Sequence, residues 1–451
     1  VGVHGGLVVQ LGAGESETVV QLSRTGRYIA HLFEADPDTV DIVRNVLSND
    51  GVYGLASAET LIDPTLLPYT ENVVNAVLIQ SLGKVPLSEV FRILVPRGAL
   101  IVSNLAGVGV EELSSAGFKD ISKSDDGSLI ARKPWPETMD TWSHPRHGAS
   151  GNAVSQDTSV GPPQRVRWVA AAMSEVEGLV TDGGRNFYGG VLARDSFNGL
   201  RLWHMDLRKG DLNDSKFTLP RLSYSRARPI VSGGVLFAIV DGKLLALDAA
   251  TGKTVREFAG IESPKEVIHH QDVVITTDSG QVCAFNSKTA EELWRHKAGD
   301  PRNIAASGEL VSFIHGRLKR GENAEAMAVD LRTGEVKWQA SYHPWLKDVY
   351  RTVMYGDQVT YEVSSLSDHD RGNELHVLSA KTGKLAWEKA FPPGMNHKRQ
   401  ARAMFAGDDL WILHGGKQNT ESKKTLTRSL IQVSAINPKN GEILKTHPAG
   451  L

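Results

Sequence analysis

The first 132 residues alternate short apolar runs with amphipathic stretches. The apolar runs predict five buried strands, at Leu7–Leu11, Tyr28–Phe33, Leu55–Ile62, Asn75–Gln80 and Ala99–Ser103. Apolar residues at helical spacing predict helices between strands, including Ser16–Leu22 and Leu87–Leu94. Strands that alternate with helices are typical of βαβ units on a parallel sheet. The pattern therefore predicts a Rossmann-like α/β domain over residues 1–132.

Residues 133–164 do not continue this pattern and predict a linker. Prolines 134 and 136 interrupt regular structure at its start. Within the linker, Asp140, His144 and His147 are candidate metal ligands, although a proline between the two histidines opposes a helical presentation of both rings. The preferred interpretation is a loop that Trp135 and Trp142 pack over the next domain.

From residue 165 onward the pattern changes to short strands separated by glycine turns. Six recognisable repeats have their turns at Gly199, Gly252, Ala290, Gly334, Gly383 and Gly441. The spacings of 53, 38, 44, 49 and 58 residues match one four-stranded blade per period. Residues 165–451 are therefore predicted to form a β-propeller, which is either a complete ring of six blades or a truncated ring of eight.

Large aromatic side chains follow most of the repeat turns. They are Trp203, Trp294, Trp338 and Trp387. A flat indole ring at this position can pack between neighbouring blades, so we expect these tryptophans to have a structural role.

Composition narrows the function classes. With 41% hydrophobic and 23% charged residues, the chain has the composition of a folded globular protein. Its formal charge of −2 gives no overall field that would favour nucleic acid, and no apolar run approaches the ~18 residues of a membrane span. A single cysteine, Cys283, excludes an internal disulfide and any metal centre built from cysteines. We therefore expect neither a nucleic-acid partner nor a membrane span.

The glycine turn after the first predicted strand carries a family resemblance. The run from Gln10 to Gly14, with Gly12 and Gly14 in the turn, is similar to the first motif of class I S-adenosylmethionine-dependent methyltransferases. The resemblance covers about the first 105 residues. It implies that Gly12 and Gly14 would contact S-adenosylmethionine, that Glu34 would bind its ribose, and that Asp63 would lie near its adenine.

Three positions depart from the pattern of that family. Gln10 and Asn75 stand where acids are usual, and Ser16 stands where a third glycine is usual. No Asn-Pro-Pro-Tyr motif follows the fourth strand, and no catalytic residue can be named. These departures favour a degenerate domain that keeps the fold without catalysis, and they leave an active methyltransferase as the alternative.

The repeats resemble those of pyrroloquinoline quinone (PQQ)-type β-propellers. Quinone-dependent dehydrogenases share this repeat with non-catalytic propellers that scaffold outer-membrane protein assembly. The dehydrogenases also have a vicinal cysteine ring beside the quinone and a calcium site. Cys283 alone cannot form that ring. We therefore do not expect PQQ and calcium as cofactors, and a dehydrogenase is the second alternative, ranked after a methyltransferase.

The junction resembles the propeller entry of large planctomycete-type proteins that join these same two domains. The matching residues are Trp142-Ser143-His144, the run from Gly151 to Asp157, Gly161-Pro162-Pro163, and Arg167-Trp168. The resemblance implies that the chain is a fragment of an exported protein of the periplasm or cell envelope, with a cytoplasmic location left open. The preferred hypothesis is an exported binding or scaffolding protein, whose propeller face binds a protein or small-molecule partner.

Overall fold

The computed structural model of the chain describes most of both predicted domains. The described residues are 2–14, 16–162, 166–169, 179–188, 192–205, 228–316, 324–341, 343–364, 373–391, 402–415 and 431–448. The predicted boundary between linker and propeller, at residues 164 and 165, falls outside them.

Eleven elements form the first domain. In chain order they are β1 (Gly6–Leu11), α1 (Ser16–Arg24), β2 (Tyr28–Glu34), α2 (Pro37–Asn49), β3 (Ala56–Thr60), β4 (Val74–Ile79), α3 (Leu87–Ile93), β5 (Leu94–Val102), α4 (Val110–Ser115), β6 (Lys119–Lys123) and β7 (Leu129–Arg132). Local sequence sets their bounds. At the start of α2, for example, the Asp36 carboxylate accepts the Thr39 N–H at 3.1 Å, and Pro37 supplies the helical φ of the first turn.

One seven-stranded sheet organises this domain, in the order β3-β2-β1-β4-β5-β7-β6. Strands β1 to β5 are parallel, whereas β7 pairs antiparallel with both β5 and β6. Apolar side chains from the central strands, such as Val9, Val77 and Leu100, are fully buried, as expected for a sheet covered on both faces. The predicted Rossmann-like domain is confirmed.

The described part of the propeller contains six four-stranded antiparallel sheets, which we call blades 1 to 6. Blade 1 contains β8 (Val180–Asp182), β9 (Arg185–Tyr188), β10 (Leu192–Asp195) and β11 (Arg201–His204); blade 2 contains β12 (Ile230–Ser232), β13 (Val235–Val240), β14 (Lys243–Asp248) and β15 (Thr254–Phe258); blade 3 contains β16 (Glu266–His270), β17 (Val273–Thr277), β18 (Gln281–Asn286) and β19 (Glu292–Lys297). Blade 4 contains β20 (Arg302–Ser307), β21 (Leu310–His315), β22 (Glu325–Asp330) and β23 (Val336–Ala340); blade 5 contains β24 (Val349–Tyr355), β25 (Gln358–Ser364), β26 (Asn373–Ser379) and β27 (Leu385–Phe391); blade 6 contains β28 (Arg402–Ala406), β29 (Asp409–Gly415), β30 (Ile431–Ile436) and β31 (Ile443–Pro448). A 3₁₀ helix, Pro344–Asp348, leads into blade 5. The six repeats read from the sequence are therefore six blades.

Tryptophan rings dock each blade on the next at four joints. The tryptophan lies four residues after the turn position of one blade, which is a glycine or, in blade 3, Ala290. It covers the turn glycine of the following blade, and its indole N–H donates to the carbonyl three residues before that glycine. The pairs are Trp203 with Gly252, Trp294 with Gly334, Trp338 with Gly383, and Trp387 with Gly441. A Cβ on these glycines would lie only 2.5–2.7 Å from the indole ring. The predicted packing of tryptophans between blades is confirmed, and the glycines are required for it.

The joint between blades 2 and 3 replaces both members of the pair. Arg256 takes the tryptophan position and donates to the Ser287 carbonyl at 3.0 Å, so it keeps the hydrogen bond of the indole. Ala290 takes the glycine position at φ 62°. Because no indole ring covers this turn, a Cβ is tolerated there despite the left-handed backbone. The side chains of Phe237, Phe258 and Phe285 pack in this joint instead.

Candidate functional site

The predicted glycine turn lies at the carboxyl edge of the parallel sheet, directly after β1. Gly12 has φ 86°, and a Cβ there would lie 2.8 Å from the Ser81 backbone nitrogen. A Cβ on Gly14 would lie 2.7 Å from the Gln80 side chain. Only glycine fits at either position, because the turn packs closely against the residues that follow β4.

Glu34, at the end of β2, faces this turn. Its Oε2 accepts the Ala13 N–H at 2.7 Å, and its Oε1 accepts the Ala35 N–H at 2.6 Å. The structure therefore places Glu34 against the turn of Gly12 and Gly14, and the predicted role of these residues in binding S-adenosylmethionine stays a prediction. Both carboxylate oxygens already bond to backbone amides, however, and one of those amides belongs to the glycine turn itself.

Asp63 lies beyond the end of β3 in an exposed turn. Its Oδ1 accepts both the N–H and the hydroxyl of Thr65, at 2.8 and 2.6 Å. These hydrogen bonds lower the pKa of the Asp63 carboxyl below its usual range. The carboxylate stabilises its own turn, and its predicted place near an adenine stays a prediction.

The buried side chain of Gln10 stabilises the glycine turn through hydrogen bonds. Its side chain is fully buried, and Nε2 donates to the Gly12 carbonyl at 3.0 Å and lies 3.4 Å from that of Ala13. An ionised acid at this position could not donate to either carbonyl. Glutamine in place of the usual acid therefore supplies a hydrogen-bond donor, and this donor links the glycine turn to strand β1.

The second departure, Asn75, connects the two domains. Asn75 lies near the amino end of β4, where its Oδ1 accepts the Leu7 N–H and the Asn198 side-chain amide, both at 2.8 Å. Its Nδ2 donates to Asp195 Oδ2 at 2.7 Å. Asp195 is the last residue of β10 in blade 1, and Asn198 lies in the turn that follows it; burial raises the pKa of the Asp195 carboxyl. An aspartate at position 75 would set two carboxylates against each other, so asparagine is required by the contact with blade 1.

The same edge of the sheet makes further contacts with the linker and with residues before blade 1. The Arg97 guanidinium lies over the Trp135 ring, 5.0 Å from its centroid, and Arg167 pairs with Glu71 at 2.8 Å. Because the amino edge of a parallel sheet is opposite to its carboxyl edge, Gly12 and Glu34 lie on the side of the domain away from blade 1. The predicted ligand edge therefore does not face the propeller.

The linker follows a path that the sequence did not predict. Between residues 142 and 152 it bonds with the first, innermost strand of each of the six described blades, in order. The contacts are Trp142 O with Thr181 N, Ser143 O with Val231 N, His144 Nε2 with His269 N, Ala149 O with Ala306 N, Ser150 O with Met354 N, and the Asn152 amide with both backbone groups of Phe405. The linker thus lies along the centre of the propeller, as a hub that touches all six blades.

The histidines of the linker have structural partners. His144 Nε2 accepts the His269 N–H at 3.1 Å, and its Nδ1 lies 2.8 Å from the Ser143 hydroxyl. Burial lowers the pKa of His144 to about 3, so the ring is neutral at pH 7. His147 instead pairs with Asp140 at 2.6 Å. The three candidate ligands therefore do not converge on one point, and the described residues hold no group of three or more His, Cys, Asp or Glu side chains arranged for a metal ion.

The remaining observations concern the single cysteine and the hydropathy of the described helices. Cys283 is buried within the joint of blades 2 and 3, and burial raises the pKa of its thiol to about 11. Across the described residues, no helix has the length and apolar character that crossing a bilayer requires.

Comparison with known proteins assigns the propeller to a family. The family model described as "Outer membrane protein assembly factor BamB" matches residues 142–296, 188–344 and 323–446, which together span more than half of the chain. The curated protein of that name from Burkholderia pseudomallei is 25% identical over 229 residues, covering 49% of this chain and 56% of the relative. The chain thus spans little more than half the length of that relative.

Solved structures resemble each of the two domains. BamB from Moraxella catarrhalis is 16% identical, with 60% of this chain and 70% of that chain covered and a TM-score of 0.36. A SAM-dependent methyltransferase from Methanosarcina mazei is 13% identical, with 30% of this chain and 94% of that chain covered and a TM-score of 0.24. The family match includes the hub segment of the linker and all six blades. Through its propeller, the chain belongs to the family described as outer membrane protein assembly factor BamB.

Proposed function

We propose that the chain is an exported binding or scaffolding protein, in which the propeller holds a protein partner and the first domain is a degenerate methyltransferase-type fold. The observation that carries the proposal is the course of the linker. Backbone and side chains of residues 142–152 bond to the inner strands of all six blades. The centre of a propeller is its usual place for a channel, and here the chain's own hub fills part of it.

Family membership supports a protein partner and an envelope location. The matching family and the relative from Burkholderia pseudomallei carry the name of an outer membrane protein assembly factor. The six described blades present turns on two opposite faces, which suit recognition of another protein by loops on a rigid scaffold.

The bonds of the glycine turn support the degenerate state of the first domain. Glu34 Oε2, which a ribose hydroxyl would use, already accepts the Ala13 N–H at 2.7 Å, so part of its accepting capacity is engaged within the chain. Gln10 and Ser81 hold the turn from its other sides. This internal use of the Glu34 carboxylate supports a degenerate domain, and we assign no methyl-transfer step to its residues.

Calorimetric titration of S-adenosylmethionine into the whole chain, with Glu34→Ala beside it, tests this part of the proposal. We expect no saturable heat in the micromolar to low-millimolar range for either protein. Micromolar binding that disappears in Glu34→Ala would overturn the degenerate assignment and favour an active methyltransferase. That alternative is supported by one observation, namely that docking through Asn75 leaves the edge with Gly12 and Glu34 on the far side from blade 1.

Photo-crosslinking tests the scaffolding part separately. A photoreactive amino acid at exposed Asp357 probes the turns between first and second strands, and one at exposed Ser279 probes the opposite face of the propeller. A matched control at Asp38, on exposed α2 of the first domain, reports contacts unrelated to the propeller. We expect one propeller position to capture an outer-membrane assembly protein from envelope extracts while Asp38 captures none. Equal capture from all three positions, or from none, would contradict a partner on the propeller face.

A further inference from the structure

Four large aliphatic side chains are exposed at the carboxyl edge of the first domain. Ile62 and Leu66 follow β3, Leu105 follows β5, and Val110 begins α4. Ile62 is 93% exposed and Leu105 is 87% exposed, so almost the whole of each side chain faces solvent. Exposed apolar side chains that lie together mark a surface for a binding partner.

Half-buried apolar residues connect the four exposed side chains. They come from the loops after β3, β4 and β5 and pack against the core that includes residues of α3 and α4; they are Leu61, Leu82, Ala106 and Val108. Leu66 lies beside the first turn of α3, because the N–H of its neighbour Leu67 donates to Glu89 at 3.0 Å. We call these exposed and half-buried residues together the apolar edge.

The order of the strands gives the length of the apolar edge. Ile62 and Leu105 follow β3 and β5, which are four strand spacings apart in the sheet. At ~4.8 Å for each spacing, the apolar edge extends over about 19 Å. An α-helix of about 13 residues has this length, because each residue adds 1.5 Å.

Negative charge predominates in the loops around the apolar edge. Residues 61–66, 80–86, 103–112 and 123–128 contain five acidic residues and two lysines, which gives a formal charge of −3; the acidic residues are Asp63, Glu111, Glu112, Asp125 and Asp126, and the lysines are Lys84 and Lys123. The last of these segments lies beside the loop after β5, since the Asn104 amide donates to the Asp126 carbonyl at 3.1 Å. As at Asp63, a hydroxyl hydrogen bond, here from Ser124, lowers the pKa of the Asp126 carboxyl, so both carboxylates are ionised at pH 7.

Acidic residues on the opposite face of the sheet add to this negative charge. Helices α1 and α2 pack in the other core of the domain, and their first turns carry Glu17 and Asp38. These two residues lie outside the apolar edge, but they extend the negative potential of the carboxyl edge. The surface therefore favours a positively charged partner and repels a nucleic acid or an anionic membrane.

We propose that the apolar edge binds a basic amphipathic helix of a protein partner. Apolar side chains along one face of the helix cover the four exposed aliphatic residues, and its lysines or arginines lie toward the acidic loops. Recognition of this kind combines apolar contacts along one face of a helix with complementary charge around them. The proposal goes beyond the scaffolding function of the propeller and does not depend on it.

Fluorescence anisotropy of a labelled synthetic peptide, titrated with the whole chain, tests the proposal. The probe is a peptide of about 14 leucines and lysines with the leucines at i, i+3, i+4 and i+7, so that they share one helix face. One control peptide has glutamate in place of lysine, and a second has the same leucines and lysines in scrambled order.

We expect micromolar, saturable binding of the leucine–lysine peptide, weakened severalfold by added sodium chloride because the charge attraction is screened. Both control peptides should bind at least tenfold more weakly. Absence of saturable binding of the leucine–lysine peptide, or equal binding of the scrambled peptide, overturns the proposal. Sedimentation of the chain with phosphatidylglycerol vesicles that is lost in Leu105→Gln would assign the surface to a membrane and also overturn it.

Three variants and a matched control locate the binding surface. Leu105→Gln and Ile62→Gln, at exposed positions, are expected to fold normally and each to weaken peptide binding about tenfold. Glu111→Gln should lower both the affinity and its dependence on salt. Ile42→Gln changes an exposed aliphatic residue of α2, on the opposite face, and should leave binding unchanged. Wild-type affinity in both Leu105→Gln and Ile62→Gln, or an equal loss in Ile42→Gln, would refute the assignment to the apolar edge.

Discussion

Changing the joint of blades 2 and 3 to the pair used at the other joints should show strong coupling between two residues. The perturbation is Arg256→Trp together with Ala290→Gly, with each single variant beside the double variant. At the four other joints, a Cβ on the turn glycine would lie 2.5–2.7 Å from the indole ring. Tryptophan at 256 opposite alanine at 290 should therefore overlap with the Ala290 methyl group.

The magnitude follows from this overlap. Overpacking of this kind costs about 1–3 kcal/mol, which we expect for Arg256→Trp alone. Ala290→Gly alone removes a left-handed alanine at φ 62°, worth about 1–2 kcal/mol, but it increases the freedom of the unfolded chain by about 0.4–1 kcal/mol. In the double variant the overlap disappears and the indole N–H can donate to the Ser287 carbonyl. We therefore expect a favourable coupling free energy of about 1–3 kcal/mol.

Hydrogen exchange of the amides of β15 and β18 is the appropriate assay, because a chain of two domains does not unfold in one step. The converse pair, Trp338→Arg with Gly383→Ala, is a matched control at the joint of blades 4 and 5, where we also expect favourable coupling. Additivity within about 0.5 kcal/mol at both joints would refute the argument that indole and glycine form one unit.

Two predictions concern the domain interface and the hub. Asn75→Asp places a second carboxylate against buried Asp195 and should lower the local free energy of opening at the domain interface by about 3–5 kcal/mol. Hydrogen exchange of the β4 and β10 amides at pH 7 measures this loss, and Asn75→Asp/Asp195→Asn should recover it. Burial holds the pKa of His144 at about 3, below the 6.5 of an unfolded histidine. Its contribution to stability is therefore complete above pH 6.5 and is lost as the pH falls from 6.5 toward 3, by a few kcal/mol in all. His144→Gln should reduce the loss seen between pH 7 and pH 5 in hydrogen exchange of the β12 and β16 amides, after correction for the intrinsic pH dependence of exchange. His269, with a pKa lowered to about 4, keeps part of the loss. An unchanged pH dependence in His144→Gln would contradict the assigned role.

The strands, helices and turns could be predicted from the sequence because the residues that determine each of them lie within a few positions of one another. Glycine at φ 86°, an acid at the end of β2 and turn residues at fixed offsets are dictated by backbone geometry within a few residues. This is why Glu34 lies against the turn of Gly12 and Gly14, and why each repeat became one blade.

The contacts that join these elements could not be predicted in the same way. Asn75 and Asp195 are 120 positions apart, and Asn152 and Phe405 are 253 apart. Nothing in the run around Asn152 distinguishes a loop lying over a domain from a hub lying inside it, since both need polar residues and turns. The departure at Asn75 was visible in the sequence, but its reason is the carboxylate that it meets in blade 1.

The docking pattern also bears on whether blade 6 closes a ring of six on blade 1. By register, blade 6 would dock on Gly199 through Lys445, yet all of β31 is exposed. Gly199 is instead covered by Trp168, whose indole N–H donates to the Ser196 carbonyl at 3.0 Å, the same relation as at the other joints. The docking position on blade 1 is therefore filled by residues outside the six described sheets, which opposes closure at six.

Docking of Trp168 on blade 1 and closure of the ring at six blades predict opposite effects of two substitutions. Trp168→Ala should lower the free energy of opening measured by hydrogen exchange in β10 and β11 by about 1–3 kcal/mol. This is less than the ~3–5 kcal/mol expected for a fully buried tryptophan, because Trp168 is only half buried. Lys445→Ala should leave the same amides unchanged. If blade 6 completed the ring, the effects would be reversed, because Lys445 would then lie in the joint and Trp168 would not. A silent Trp168→Ala together with a costly Lys445→Ala would therefore restore the six-bladed ring.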